Sequence, residues 1–252
     1  MAGHSKWSTI KRKKGAVDAK RGALFTKLIR EITVAARAGG EDIESNPSLR
    51  AAVAKAKASN MPNDNIERAI KKGAGNLDGV VYEEVRYEGY GPGGVAILLD
   101  CLTDNKNRTM PEVRLIFSKN GGNLGDTGSV SYLFEKKGMI VIESDGTLSE
   151  DDVLEFLLEY DVEDIKTEDE NIVVTTSPEA YNSVSEVLMK NNYKINMNEL
   201  TYVPLNTVSL DEKRAGQCLK LIELLEEHDD AQEVYSNYDI SDEIMAKLGE
   251  EG

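Results

Sequence analysis

Between Met139 and Val203 the hydrophobic pattern runs through six segments, and their order restricts the fold more than any other stretch of the chain. Short apolar or alternating runs predict strands over 139–142, 162–166, 172–175 and 195–203, and three- and four-residue spacing predicts helices over 150–160 and 178–191. The order βαββαβ is that of a ferredoxin-like unit, a four-stranded sheet with two helices on one face. A helix over 211–227 and a strand over 233–238 follow it with no partner nearby in the sequence. They are expected to rejoin strands predicted earlier, over 81–87 and 95–102, and a helix over 111–119. The ferredoxin-like part is then an insertion.

Ahead of these segments the pattern is helical. Val17, Leu24, Phe25, Leu28, Ile29, Ile32 and Ala35 predict an amphipathic helix from Ala16 to Ala38, closed by Gly39-Gly40. Asn46-Pro47 opens a second helix with a capping side chain and a preset first turn. A third follows Pro62 and ends at Gly73, where a Gly-rich hinge begins. The expected class is α+β: an N-terminal three-helix bundle followed by two α+β domains, one ferredoxin-like and inserted in the other. The expected boundaries are 1–78, 79–134 plus 206–252, and 135–205.

No run approaches the roughly 18 apolar residues of a membrane-spanning helix, and residues 1–14 lack the apolar core of a secretory signal. The expectation is a cytoplasmic protein without a membrane partner. Cys101 and Cys218 are the two cysteines and read as reduced, buried thiols.

The net charge of −15 argues at first against a polyanionic partner. Its distribution reverses that reading. Residues 1–75 hold 16 Lys/Arg against 7 Asp/Glu, and residues 76–252 hold 14 against 38. Lys6, Lys11, Arg12, Lys13, Lys14, Lys20, Arg21, Lys27, Arg30 and Arg37 face acids only at Asp18 and Glu31 before Glu41. Such a run is suited to phosphate and predicts salt-sensitive binding to nucleic acid, DNA or RNA. Lys20, Lys27 and Arg30 are spaced to share an outward helix face. Trp7, in an arm without apolar neighbours, either stacks on a base or packs back onto the first helix.

Asn105, Lys106, Asn107 and Arg108 lie in a polar stretch between a buried strand and a helix, and read as a second contact loop or as a helix cap. Gly89, Gly91, Gly93 and Gly94 match dinucleotide-loop spacing, but a strand follows where that loop needs a helix. A tight hairpin, or a loop approached closely by a partner, is the better reading. Gly121 and Gly122 form a second backbone-exposed loop. Asp126-Thr127-Gly128 has no second copy to complete a carboxylate dyad. His4 and His228 have no partners at metal-ligand spacing. The expectation is a non-enzymatic protein with no catalytic residues, metal or cofactor.

The segments Met1-Ala2-Gly3-His4-Ser5-Lys6-Trp7, Lys20-Arg21-Gly22, Phe25-Thr26-Lys27-Leu28 and Asn60-Met61-Pro62, taken together, resemble the YebC/PmpR family. Residues 89–94, 103–109, 120–125 and 129–138 continue the likeness along the chain. Ser8, Arg12 and Ala23 depart from the asparagine or alanine, histidine and lysine common there. The resemblance implies three domains and a regulator of gene expression. It implies either DNA-binding transcriptional regulation or, as an alternative, a ribosome-associated factor that binds ribosomal RNA and helps translation through proline runs. Oligomeric state stays open.

Overall fold

The computed structural model describes residues 21–75, 82–144, 146, 148–168 and 171–250. Three helices come first: α1 (Arg21–Gly39), α2 (Pro47–Ala58) and α3 (Asn63–Ala74). Leu28, Ile32 and Ala36 of α1 meet Leu49, Val53 and Ala56 of α2 and Ile66 and Ala69 of α3 in one buried cluster. Asn46 welds the first corner. Its side chain accepts the Leu49 N–H at 3.1 Å, and its amide donates to the carbonyls of Ala35 at 2.8 Å and Gly40 at 2.9 Å. One buried residue thus ends α1 and starts α2.

Gly73 sets the approach of α3 to α1. A Cβ there would lie 2.3 Å from the Thr33 carbonyl oxygen and 2.8 Å from the Ala36 Cβ. An exposed helical Gly→Ala change ordinarily stabilises by up to about 1 kcal/mol. Here the obstacle is backbone, so Gly73→Ala is expected to destabilise by about 1–3 kcal/mol through overpacking. Urea melts measure this, and a midpoint raised by the substitution would refute the close contact.

The first sheet runs β3-β1-β2-β9, from β1 (Glu83–Tyr90), β2 (Ala96–Thr103), β3 (Asn123–Leu124) and β9 (Ala231–Ser236). β2 is buried at every position but Asp100, as its apolar run requires of a central strand covered on both faces. Helices α4 (Lys106–Lys119) and α7 (Glu212–Glu227) belong with this sheet. Phe117 of α4 and Leu221 of α7 both sit within 3.1 Å of where a Gly122 Cβ would stand. α8 (Asp242–Glu250) closes the described chain.

The second sheet runs β5-β6-β4-β7, antiparallel throughout, from β4 (Phe134–Glu143), β5 (Val162–Glu168), β6 (Asn171–Thr176) and β7 (Ile195–Pro204). Its first and third strands, β4 and β6, lie at the centre, the ferredoxin-like order. Helices α5 (Glu150–Phe156) and α6 (Tyr181–Lys190) cover one face, where Val153, Leu157, Val184 and Leu188 meet Ile140, Ile142, Ile172 and Val174. A short parallel pair, β8 (Val208–Ser209) with β10 (Tyr238–Asp239), belongs to the same part of the chain.

By contact the chain divides into two compact units. One contains residues 131–209 and 237–239; the other contains the flanking segments, including α1–α3 and the first sheet. Within that unit hydrogen bonds from α1 and α2 tie the helices to the segment around β9.

Some local readings are decided or corrected. Of the two readings of 105–108, the structure shows the helix cap: Asn105 caps α4, accepting the Arg108 N–H at 3.2 Å, and Lys106, Asn107 and Arg108 form its first turn. Pro111 lies inside that helix rather than at its start. The last strand also begins earlier, at Ala231, and α8 follows it where no helix was expected.

Candidate functional site

The unit that holds α1–α3 contains a buried carboxylate, Asp230, at the corner between α7 and β9, with its side chain 2% exposed. Arg108 of α4 donates to its Oδ2 at 2.8 Å, Thr109 at 2.7 Å and Thr103 at 3.1 Å, while Arg30 of α1 reaches its Oδ1 at 3.0 Å. Burial alone would push this carboxyl up. The hydrogen bonds from Arg108, Thr109 and Thr103, with the Arg108 charge, outweigh burial and hold it below the ordinary value. Asp230 is therefore an anion matched by two guanidinium groups that start far apart in the sequence.

The same corner takes more of α1's charge. Lys27 Nζ donates to the Glu226 carbonyl at 2.6 Å, and Arg30 to the Asp229 carbonyl at 2.6 Å. α7 has no basic residue in its last turn, and Lys27 supplies from another helix the cation that a helix C-terminus favours. Lys55 of α2 adds an ion pair with Glu233 of β9 at 3.0 Å. An outward, charged face containing Lys27 and Arg30 is thereby corrected. Both are half-buried and committed to the protein's own acceptors, because α1 is covered by the sheet unit as well as by its bundle partners.

The remaining expected residues divide clearly. Lys6, Trp7, Lys11, Arg12, Lys13, Lys14 and Lys20 lie outside the described residues, and Arg21 opens α1 with its side chain outside them. Lys106 pairs with Glu83, and Arg108 bonds Asp104 as well as Asp230. Further exposed cations lie on α2 and α3. Lys57, Lys71 and Lys72 are exposed and have no carboxylate partner among the described residues.

The glycines serve two purposes. Gly89 and Gly122 make room for packing: a Cβ on Gly89 would meet the Asn123 carbonyl at 2.7 Å, and one on Gly122 would meet the Tyr90 carbonyl at 2.7 Å. Gly91 is buried in the turn, donating to the Val95 carbonyl at 2.7 Å. These three are not open to a partner, which corrects part of the expected glycine surface. Gly93, Gly94 and Gly121 are exposed and take left-handed φ values of 79°, 81° and 76°. A Cβ on Gly121 would stand 3.5 Å from Pro92, so the two exposed turns are neighbours. The adjoining loop is held by buried Glu88, which accepts the N–H groups of Gly128 and Val130 at 2.8 Å each.

The signal for Asp230 was absent from local sequence, since Asp229-Asp230 after a helix reads as an ordinary turn. Thr103 and Thr109, six residues apart, flank the polar stretch, and nothing local marks them as a buried pair facing a carboxylate.

Two domain profiles align with the sequence that makes this arrangement. Residues 5–76 match the profile described as the TACO1/YebC protein N-terminal domain, and residues 82–238 match that described as the TACO1/YebC second and third domain. The chain belongs to the TACO1/YebC family. A relative in this family, from Syntrophus aciditrophicus, is 57% identical over 98% of this chain and 99% of its own length, and is named a probable transcriptional regulatory protein. One from Geobacter sulfurreducens, 56% identical over 98% of this chain and 100% of its own, bears the same description. The solved structure of a conserved hypothetical protein from Aquifex aeolicus superposes with a TM-score of 0.79 at 50% identity, covering 91% of this chain and 94% of that one. The TACO1/YebC fold is thus shared in its α+β architecture. Among the described residues no helix is long and apolar enough to cross a membrane.

Proposed function

We propose that this protein is a non-enzymatic, cytoplasmic regulator of gene expression that works by holding the phosphate backbone of nucleic acid. The observation that carries this reading is charge segregation: 16 Lys/Arg against 7 Asp/Glu in residues 1–75, and 14 against 38 in the remainder. A basic end neutralises phosphates and releases their counterions, while an acidic remainder turns that end toward the polyanion. Lys57, Lys71 and Lys72 supply ordered, exposed cations on the helices that carry the basic segment. The transcriptional description of the relatives agrees with a regulator.

A second reading, binding to ribosomal RNA in support of translation, is favoured by one specific observation. α1 directs Lys27 and Arg30 into the protein, so it does not offer these residues to a DNA major groove. Folded RNA is recognised by shape, phosphate and stacking, and does not require a helix that reads base pairs. Exposed glycine turns at Gly93, Gly94 and Gly121 let backbone approach backbone closely.

Sedimentation with ribosomes at about 0.15 M salt, with nonspecific duplex DNA as competitor, separates the two. Pelleting that resists excess duplex is expected for the ribosomal reading. Release by near-stoichiometric duplex would favour DNA, and no association with either polymer would overturn the proposal as a whole.

A further inference from the structure

Beyond residue 75 acidic side chains outnumber basic ones 38 to 14, yet one stretch of the first-sheet unit runs the other way. Residues 106–121, which are α4 and the turn after it, hold four Lys/Arg against Glu112 alone. Lys106 and Arg108 are engaged by Glu83, Asp104 and Asp230, and Glu112 meets His228 at 3.1 Å. Arg114 and Lys119 remain. Both are exposed and have no carboxylate partner among the described residues.

These cations lead to the exposed glycine turns. Lys119 ends α4 two residues before Gly121, and Gly121 stands against Pro92 of the neighbouring turn. On the far side of that turn a Cβ on Gly93 would lie 3.5 Å from Cδ of Arg214, in the first turn of α7. Arg214 is 60% exposed, and Asp211 comes no nearer to its Nε than 3.7 Å. Lys213, the residue before it, is exposed and also lacks a carboxylate partner among the described residues. The end of α4, the two turns and the start of α7 are thus one continuous surface, with cations on either side of backbone that carries no side chain. The Gly121 N–H bonds no described residue and is a ready donor.

We infer that this surface is a second contact for the phosphodiester backbone of nucleic acid, built from residues other than those of the basic N-terminal segment. Unpaired cations release the counterions of the phosphates they meet, so a local basic surface gains from a polyanion even within an acidic chain. The left-handed φ of Gly93, Gly94 and Gly121 keeps the turns between the cations free of side chains, which lets a sugar–phosphate chain come close enough to use backbone donors. The inference rests on the nucleic-acid reading and gives it a second set of residues.

Fluorescence anisotropy of the full-length protein with a labelled RNA hairpin and a labelled DNA duplex, over about 50–200 mM salt, tests it. Arg114→Glu, Lys119→Glu and Arg214→Glu, combined, alter exposed side chains and are expected to leave the circular dichroism melt intact. They are expected to weaken binding about tenfold or more at low salt and to flatten the slope of log affinity on log salt by about 2–3. Lys136→Glu, Lys190→Glu and Lys194→Glu make the same change of net charge at exposed positions of the other unit, and are expected to alter affinity less than about threefold. A loss confined to one probe assigns the backbone to RNA or to DNA. Equal losses in the two triple variants, or none in the first, would overturn this surface and leave the nucleic-acid reading standing. Displacement by polyglutamate as effective as by unlabelled nucleic acid of equal charge would assign the surface to an acidic peptide instead. A native protein that binds neither probe would overturn both.

Discussion

Asp230→Ala is expected to lower the unfolding free energy by about 3–5 kcal/mol, the range for removing one partner of a buried ion pair. The carboxylate is 2% exposed and faces Arg30, Arg108, Thr103 and Thr109. Its loss leaves two hydroxyls and a guanidinium without their acceptor in a confined site. Arg108 is 44% exposed and can turn to water, which places the result toward the lower end of the range. Asp230→Asn keeps the shape and part of the hydrogen bonding, and is expected to fall between the two. The pH dependence has a definite sign. Because the folded carboxyl lies below its ordinary value, its contribution is complete above about pH 4, where the unfolded side chain is ionised, and fades as pH falls through the depressed folded value. The stability gap between the native protein and Asp230→Ala should therefore narrow in acid. Denaturant melts at pH 7 and below pH 4 measure it, and a gap independent of pH would show that the charge is not what Asp230 supplies.

Reversing Lys11, Arg12, Lys13 and Lys14 to glutamate is expected to weaken nucleic-acid binding on the order of a hundredfold or more at low salt. Four potential phosphate contacts become four repulsions. Each lost contact should also flatten the dependence of log affinity on log salt by a little under 1, so the slope is expected to become shallower by about 3 to 4. Fluorescence anisotropy with a labelled RNA hairpin and a labelled duplex, across about 50–200 mM salt, gives both quantities. A slope unchanged by the reversal would move the phosphate contacts away from residues 11–14.

Much of the fold could be read from residues whose preferences are local. Asn46-Pro47 announces the second helix because capping and a fixed proline φ need no distant partner. The apolar run around Ile97–Leu99 announces a central strand because only a strand covered on both faces tolerates it. What escaped depends on distant partners or on competing local signals. Pro111 suggested a helix start, whereas the Asn105 cap and the bonds from Thr109 and Arg108 to Asp230 extend α4 toward its N-terminus. Periodicity marked the apolar side of α1 and set Lys27 and Arg30 on an outward face, because their acceptors near residues 226–230 leave no local signal. Charge composition identified a basic segment. It could not say which cations the protein uses internally.

The pairing of β9 with β2 has a consequence for synthesis. Residues 97–101 emerge from the ribosome early, yet the strand that covers their open edge is residues 231–236, made only after the whole of 131–209. The second sheet, by comparison, takes all four strands from one continuous stretch and can close as soon as that stretch is out. Until β9 arrives, β2 offers a long apolar strand with one unpaired edge, the kind of template on which other chains add. The slow, exposed interval in the life of a nascent chain thus falls on the sheet that also anchors α1, so a nascent chain is vulnerable to aggregation until the corner at Asp230 has been made.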